Sequence, residues 1–256
     1  MTVQLLFENL SAYMLVFGRM GGIIVFNPLL SRKNIPGQVR LALALGMTLL
    51  LTPTVGGEMA LGMNGFSLVF AMVREIAVGF ACGFLFQLFY YMLFMVGDVI
   101  DMGFGLSMAK AFDPGTNIQI SVSGNLFQMI FILYFFATDS HLTFLRLMAS
   151  SYDVVSVGAV TFGADVGSFM ITLFTSTFSL AMQLALPFIA ASFVLEIAMG
   201  ILMKLVPQIN VFSIHFQFKI LFGVVLLFLF AEPVAEFTQN YINIMLKSMQ
   251  SLFRVV

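Results

Sequence analysis

Long apolar stretches separated by short polar breaks constrain this chain more than any other feature. Six such stretches can be drawn, at 10–30, 41–55, 67–97, 126–138, 168–203 and 220–231. A membrane-spanning helix needs roughly 20 apolar residues, so two of the stretches are short and two are long for that purpose. A straight helix over 67–97 would measure about 45 Å at ~1.5 Å per residue. The pattern predicts an all-α integral membrane protein whose helices are not simple rods along the membrane normal.

The composition excludes several other classes of protein. Of the 256 residues, 61% are hydrophobic and 9% are charged, and the 11 Lys and Arg residues are scattered along the chain. No basic stripe could neutralise a phosphate backbone, so no nucleic-acid partner is predicted. Two histidines, a single Cys82 and no phosphate-binding glycine motif predict neither a metal site nor a cofactor.

Charged residues lie inside the two long stretches. Arg74 and Glu75 fall in one, and Glu196 falls in the other, nine residues after the helix breaker Pro187. A charge facing lipid is costly, so these helices are expected to pack against protein. Small residues at four-residue spacing would let helix backbones approach closely. They are Gly18, Gly22, Gly79 and Gly83.

The break at 98–125, the central segment, holds an unusual polar stretch between apolar flanks. It contains Asp98, Asp101 and Asp113 against one Lys110, which is not the charge balance of a cytosolic loop. We therefore expect the central segment to be enclosed by protein.

Within the central segment, "SMAKAFDPGTNIQ" (Ser107 to Gln119) has the composition of a movable constriction. Gly105 and Gly115 provide backbone freedom, while Met108 and Phe112 provide bulky apolar tips that exclude water. The same residue types also serve in ordinary hydrophobic packing.

Two catalytic alternatives need weighing. "GLSMA" places Ser107 in an incomplete serine-hydrolase motif with His141 or His215 as a base, and Asp98 and Asp101 stand one turn apart as an aspartyl dyad would. The last glycine of the first motif is absent, and a carboxylate near a helix end more often makes structural contacts. No catalytic residue is predicted. An intramembrane protease and a small-solute secondary transporter remain the alternatives.

Residues 232–256 are typical of an amphipathic helix that opens at Pro233 and lies on a partner or in the membrane interface. Its apolar face comprises Val234, Phe237, Tyr241, Met245 and Leu252. Its polar face comprises Glu236, Asn240, Asn243, Lys247 and Arg254.

Four strings, in order, resemble one known family. They are "GRMGGIIVFNPLLSRKNIPGQVRLALALGMTLLLTP" (18–53), "GDVIDMGFGLSMAKAFDPGTNIQISVSGNLFQ" (97–128), "SHLTFLRLMASSYD" (140–153) and "LPFIAASFVLEIAMGILMKLVPQINVFSIHFQFKILFG" (186–223). The order of IP-x-x-x-R, A-x-x-x-DP and PQ-[IL]-NVF is specific. On these motifs the chain resembles the FliR/SctT family of the flagellar and type III secretion export gate.

The resemblance implies a single helical domain over 1–256 that is not an enzyme. It implies bent helical hairpins in a conical hetero-oligomeric gate with FliP-like and FliQ-like partners and other export-apparatus membrane proteins. Unfolded secreted proteins would be the substrates. The protein would be a multi-pass subunit of the bacterial inner membrane at the flagellar basal body, in contact with membrane lipid.

The resemblance also assigns roles to individual residues. The loop from Gly105 to Gln119, here termed the plug loop, matches the segment that closes the family's pore. Its tip would be Met108, Ala111 and Phe112, and its turn Asp113-Pro114, with Lys110 and Gly115 beside them. A structural motif would comprise Pro207, Gln208, Ile209 and Asn210. Candidates for buried polar pairs between subunits, or for side chains that snorkel to an interface, are Arg19, Arg40, Arg74, Glu75 and Glu196.

Overall fold

The computed structural model describes residues 2–32, 35–55, 65–108, 121–163, 165–205 and 211–256. Within these ranges the chain forms eight α-helices and one short 3-10 helix, with no strand. The α-helices are α1 (Thr2–Phe26), α2 (Gly37–Val55), α3 (Gly65–Gly103), α4 (Val122–Ala137), α5 (Ser140–Val154), α6 (Asp165–Leu205), α7 (Val211–Leu229) and α8 (Ala231–Val255). The 3-10 helix is Leu106–Met108.

The prediction of an all-α membrane protein is confirmed. Among the described residues, three helices are long and apolar enough to cross a membrane, namely α2, α3 and α6. The number rises to five if each of two bent pairs, α4 with α5 and α7 with α8, forms one span. Helices suit this environment because each satisfies its own backbone hydrogen bonds where no water can do so. The chain is a multi-pass membrane protein.

The two long helices run further than the apolar stretches from which they were predicted. α3 has 39 residues and α6 has 41. At ~1.5 Å per residue these helices are about 60 Å long, roughly twice the thickness of the hydrocarbon core. Pro187 lies inside α6 and does not end it, although the sequence marks it as a helix breaker.

Two other boundaries differ from the sequence-based ones. The stretch 126–138 corresponds to α4, and after Thr138 the chain turns at Asp139, whose φ of 54° is left-handed, and continues as α5. α5 was not among the predicted apolar stretches because polar residues such as Ser150 and Asp153 interrupt its sequence. α7 begins at Val211, within the predicted polar break 204–219.

The fold comprises two compact units. The first comprises Met1–Phe89, Asp139–Phe174 and Asn243–Val256. Here α1 and α3 approach closely at two glycines, since a Cβ atom on Gly22 would lie 2.9 Å from the carbonyl oxygen of Ile76 and 3.0 Å from the Cα of Gly79. Around this crossing Ile23 and Val78 are completely buried.

The second unit comprises Tyr90–Thr138 and Thr175–Ile242. Its core is aromatic and includes Phe104, Phe131 and Phe188, all completely buried. The rings of Phe131 and Tyr90 meet edge to face, with centroids 5.7 Å apart. Aromatic pairs of this kind fix the mutual rotation of helices as well as burying area.

α8 carries a sharply divided surface. Its buried residues are Val234, Thr238, Tyr241, Ile242, Met245, Leu246, Met249, Leu252 and Phe253. Its exposed residues include Glu236, Asn240, Asn243, Lys247 and Arg254. The apolar face is therefore buried within this chain, whereas the sequence suggested a partner or the membrane interface for it.

Candidate functional site

A buried carboxylate joins the two ends of the central segment. Asp101 lies in the last turn of α3 and is completely buried. Its Oδ2 accepts a hydrogen bond from the Oγ of Ser121 at 2.7 Å, and its Oδ1 accepts one from the backbone N–H of Ser123 at 3.2 Å. We refer to these three residues as the Asp101 clamp.

Ser121 has a second role as the N-cap of α4. Its backbone is extended (φ −77°, ψ 123°), and its Oγ accepts a hydrogen bond from the N–H of Gly124 at 2.9 Å. The first N–H groups of a helix have no partner within it, and a serine oxygen satisfies one of them. The negative charge of Asp101 also lies at the positive end of the α4 dipole, which stabilises the carboxylate.

Close backbone contact between α3 and α4 accompanies the clamp. A Cβ atom on Gly97 would collide with the backbone of Gly124, and one on Gly124 would lie 2.9 Å from the carbonyl oxygen of Phe94. Gly97 precedes Asp101 by four residues and therefore lies on the same face of α3. The clamp and the glycine contact thus form one continuous interface between the two helices.

The segment just after α3 is held by α7. Phe104 is completely buried, and a Cβ atom on Gly223 would lie 2.7 Å from its Cβ and Cγ atoms. Gly105 has a φ of +74°, a left-handed conformation that favours glycine, and the Phe216 ring lies 3.2 Å from the position that its Cβ would take. The start of the plug loop therefore rests on α7.

The residues predicted for the plug itself fall mostly outside the described ranges. Gly105 is buried, and Met108 ends the 3-10 helix. The remaining predicted plug residues, Lys110, Ala111, Phe112, Asp113, Pro114 and Gly115, lie outside the described part of the chain, and so do Pro207, Gln208 and Asn210 of the structural motif.

The structure gives the surroundings of two residues from the catalytic alternatives, Asp101 and Ser107. Both carboxylate oxygens of Asp101 accept hydrogen bonds from the start of α4, which is a structural contact at a helix terminus. Ser107 is half-buried in the 3-10 helix. Within the described ranges, no three His, Cys, Asp or Glu side chains gather in a group that could hold a metal ion.

Among the charged candidates, the structure pairs Arg19 with Glu75. Both are completely buried, with the Arg19 Nε 2.6 Å from one carboxylate oxygen of Glu75 and the Nη2 3.1 Å from the other. Arg19 also donates to Ser151 and to the carbonyl oxygen of Val155, and lies over the Tyr152 ring at 4.2 Å. The pair is an inter-helix polar contact between α1 and α3 inside one chain, whereas the family resemblance suggested pairs between subunits.

The three other charged candidates make contacts of different kinds. Arg40 donates to the carbonyl oxygens of Arg32 and Ile35, each at 3.1 Å, and so closes the turn before α2. The exposed Arg74 donates to the carbonyl oxygen of Val160 at 3.4 Å. Glu196 of α6 pairs with Lys219 of α7 at 2.5 Å, with the Glu196 side chain 47% exposed.

Sequence reasoning missed the serines and glycines that complete these sites. Ser121 had a detectable signal, since a serine directly before an apolar run is a typical N-cap. Gly97, Gly124 and Ser151 had none, because their roles depend on which residues face them across a helix interface.

Comparison with known proteins gives the chain its family. The family described as "Bacterial export proteins, family 1" matches residues 10–245. The flagellar biosynthetic protein FliR of Escherichia coli (strain K12) is 26% identical over 222 residues, which are 87% of this chain and 85% of that protein. FliR of Bacillus subtilis (strain 168) is 25% identical over 248 residues, 96% of this chain and 95% of that protein.

A relative that is not called FliR is similar to the same degree. The Yop proteins translocation protein T of Yersinia pestis is 26% identical over 224 residues, 86% of this chain and 85% of that protein. The family match covers almost the whole described structure, including the Asp101 clamp and the start of the plug loop. This chain therefore belongs to family 1 of the bacterial export proteins, the FliR/SctT family.

Proposed function

We propose that this protein is the FliR-like subunit of a flagellar type III export gate, through which unfolded proteins cross the inner membrane at the basal body, and that its plug loop closes the gate at rest. The family match over residues 10–245 supports the general role in an export apparatus. The protein acts mechanically in this proposal, without a catalytic residue or a cofactor.

One structural observation carries the plug assignment. The two ends of the central segment are held together by the buried Asp101 clamp, and the start of the plug loop rests against Phe216 of α7. A pore closure requires bulky apolar side chains on a segment whose ends are fixed; the sequence supplies the former in Met108 and Phe112, and the described ends of the central segment supply the latter. Bulky apolar side chains in a narrow passage exclude water and hence ions.

Deletion of residues 108–113 tests the plug directly. In cells that make the complete export gate but lack export substrate, we expect the deletion to dissipate the membrane potential, measured with a potential-sensitive dye. A six-residue deletion at 58–63, in another connection between helices, is the matched control and should leave the potential unchanged. Membranes as ion-tight as wild type after the 108–113 deletion would overturn the plug assignment.

The proposed partners can be tested separately from the plug. We expect the protein to co-purify from detergent with FliP-like and FliQ-like membrane proteins, together with other membrane proteins of the export apparatus. A small-solute secondary transporter would work without them. Normal export in cells that lack those partners would refute the assignment to an export gate.

A further inference from the structure

We propose that an apolar groove between α1 and α2 binds one acyl chain of an anionic phospholipid, whose phosphate is held by Arg32 and Arg40 beside the start of α2. We refer to this cavity as the α1–α2 groove. The inference is independent of the plug, because it concerns only these two helices and the basic residues next to them.

The α1–α2 groove is a cavity of about 350 Å³ with an apolar lining. It is lined by Tyr13, Met14 and Phe17 of α1 and by Leu45, Thr48 and Leu49 of α2. Thr48 is buried, and its hydroxyl already donates to the carbonyl oxygen of Ala44 at 2.7 Å. Leu49 is 62% exposed and Met14 is 39% exposed, so the groove opens onto the surface of the chain. Its size lies at the low end of the range for ligand sites, about 300–1,000 Å³.

The dimensions of the groove favour an acyl chain over a helix of another protein. Leu45 to Leu49 covers about 6 Å of α2 at ~1.5 Å per residue, whereas a helix with its side chains is about 10–12 Å wide. An acyl chain is only one methylene group wide. Because α2 is long and apolar enough to cross a membrane, such a chain can enter the groove sideways from the bilayer.

Positive charge lies beside the start of α2. The sequence 31–40 contains Arg32, Lys33 and Arg40 and no acidic residue. Arg40 donates to the carbonyl oxygens of Arg32 and Ile35, which carry no net charge, so the positive charge of Arg40 is not cancelled by these bonds. Basic residues next to a membrane helix are typical of the cytoplasmic side, where anionic lipids make the membrane surface negative. The charge therefore complements an anionic headgroup.

The spacing between this charge and the groove matches a phospholipid. Arg40 precedes Leu45 by five residues and Leu49 by nine, so the groove lies about 8–14 Å along α2 from the arginine. The headgroup region of each leaflet is about 5–8 Å thick. A phosphate at Arg40 thus places the beginning of the acyl chain at the groove. A zwitterionic lipid has the same chains, but it gains less from the arginines because its headgroup has no net charge.

Tryptophan fluorescence can locate this lipid, because the chain contains no tryptophan of its own. Leu49→Trp places one fluorophore at the edge of the groove. Leu50→Trp is the matched control, since the neighbouring Leu50 is 71% exposed and does not line the groove. Each full-length variant is reconstituted in phosphatidylcholine vesicles that contain increasing shares of phosphatidylglycerol or phosphatidylcholine with brominated chains. Bromine atoms quench the indole fluorescence on contact.

We expect brominated phosphatidylglycerol to quench the fluorophore at position 49 half-maximally at a share of total lipid at least about fivefold lower than brominated phosphatidylcholine does. At position 50 the two lipids should quench alike. Combined with Leu49→Trp, Arg32→Gln should reduce the preference about fivefold, which is the effect of one basic residue near an anionic membrane surface. Arg254→Gln, at an exposed position of α8, should leave the preference unchanged.

A further variant separates the groove from the charge. Thr48→Leu places a larger apolar side chain in the groove and leaves Arg32 and Arg40 in place, so we expect it to abolish the preference at position 49. An unchanged preference would show that the lipid is held elsewhere. Should Thr48→Leu not fold, Arg32→Gln decides, because Arg32 is exposed.

Two results at position 49 would overturn the lipid site. Equal quenching by the two lipids would mean ordinary contact with the bilayer. Quenching by neither lipid would mean that protein covers the groove. Neither result bears on the plug assignment, which the deletion of 108–113 tests separately.

Discussion

At the scale of single residues, the Arg19–Glu75 ion pair of the first unit is completely buried and therefore needs hydrogen-bond partners for both side chains. Two opposite charges with no solvent exposure are stable only when their hydrogen bonds are well satisfied. Here Arg19 reaches Glu75, Ser151 and Val155, and Glu75 also accepts from the N–H of Gly158 at 2.8 Å. The pair thereby connects α1, α3, α5 and the loop that follows α5.

Removal of one partner should therefore be costly. We expect Glu75→Gln to destabilise the detergent-solubilised protein by about 3–5 kcal/mol, because Arg19 would keep its charge without a counter-ion in a buried site. Glu196→Gln is the control, since that pair is half-exposed and worth about 0–1 kcal/mol. Thermal unfolding of the two variants measures the difference. Equal unfolding midpoints for the two variants would show that the buried pair contributes no more to stability than the exposed pair does.

A second residue-scale prediction concerns the α1–α3 crossing. A Cβ atom on Gly79 would collide with the carbonyl oxygen of Arg19 and lie 2.9 Å from the Cα of Gly22, whereas one on Gly46 of α2 meets nothing within 4 Å. We expect Gly79→Ala to cost about 1–3 kcal/mol or more through overpacking. Gly46→Ala should instead stabilise by up to about 1 kcal/mol through helix propensity. The opposite order in thermal unfolding would show that α1 and α3 do not cross at these glycines.

These residues show how far sequence reaches at this scale. Glycine spacing marked Gly22 and Gly79 as places of close approach. Charge in an apolar stretch marked Glu75, and the family resemblance added Arg19 as a candidate for a buried polar pair. The partners themselves could not be predicted. Arg19 and Glu75 are 56 residues apart in the chain, and their meeting depends on the rotation and crossing point of two helices.

At the scale of helices and their ends, α8 shows what an amphipathic pattern can predict. The pattern predicts which face of the helix is apolar, but it does not predict whether protein or lipid covers that face. The polar positions named from the sequence are exposed, and most of the apolar ones are buried. The periodicity of 3.6 residues suffices to separate the faces. Whether protein, partner or lipid covers the apolar face depends on the path of the whole chain, which local periodicity does not contain.

Substitutions on α8 can test this internal burial. Met249 is completely buried, and we expect Met249→Ala to cost about 2–5 kcal/mol because it leaves a cavity. Asn243→Ala, on the exposed face, should change the free energy of unfolding little. Thermal unfolding of the protein purified without partners is the measurement. If Met249→Ala matters only in the complete gate, the apolar face binds a partner instead.

At the scale of the whole molecule, much apolar surface is not covered by the chain itself, which accounts for the hydrophobic content of 61%. Large side chains of α6 and α7 are mostly exposed, including Val194, Ile197, Leu221 and Phe228. Such a surface requires lipid or protein neighbours, and the sequence predicted this from its apolar stretches alone. The sequence could not predict that α3 and α6 would continue without a break for 39 and 41 residues. In α6, Pro187 is a local signal for a helix break, and the surrounding helical structure overrides it.

The environment of these surfaces can be measured with spin labels. Cys82, the chain's single cysteine, is completely buried and can be replaced by alanine, after which a label is attached at Phe228→Cys of α7 or at Asn240→Cys of α8. In the protein reconstituted alone in bilayers, we expect the label at 228 to be relaxed mainly by oxygen, which dissolves in lipid. The label at 240 should be relaxed mainly by a water-soluble nickel chelate, because its face carries Glu236 and Lys247.

Phe228 is 80% exposed in the chain by itself, and only an apolar environment makes that exposure favourable. If the label at 228 met the nickel chelate more readily than the label at 240, the α7 surface would not face the bilayer and the membrane-spanning role of the α7–α8 pair would be refuted.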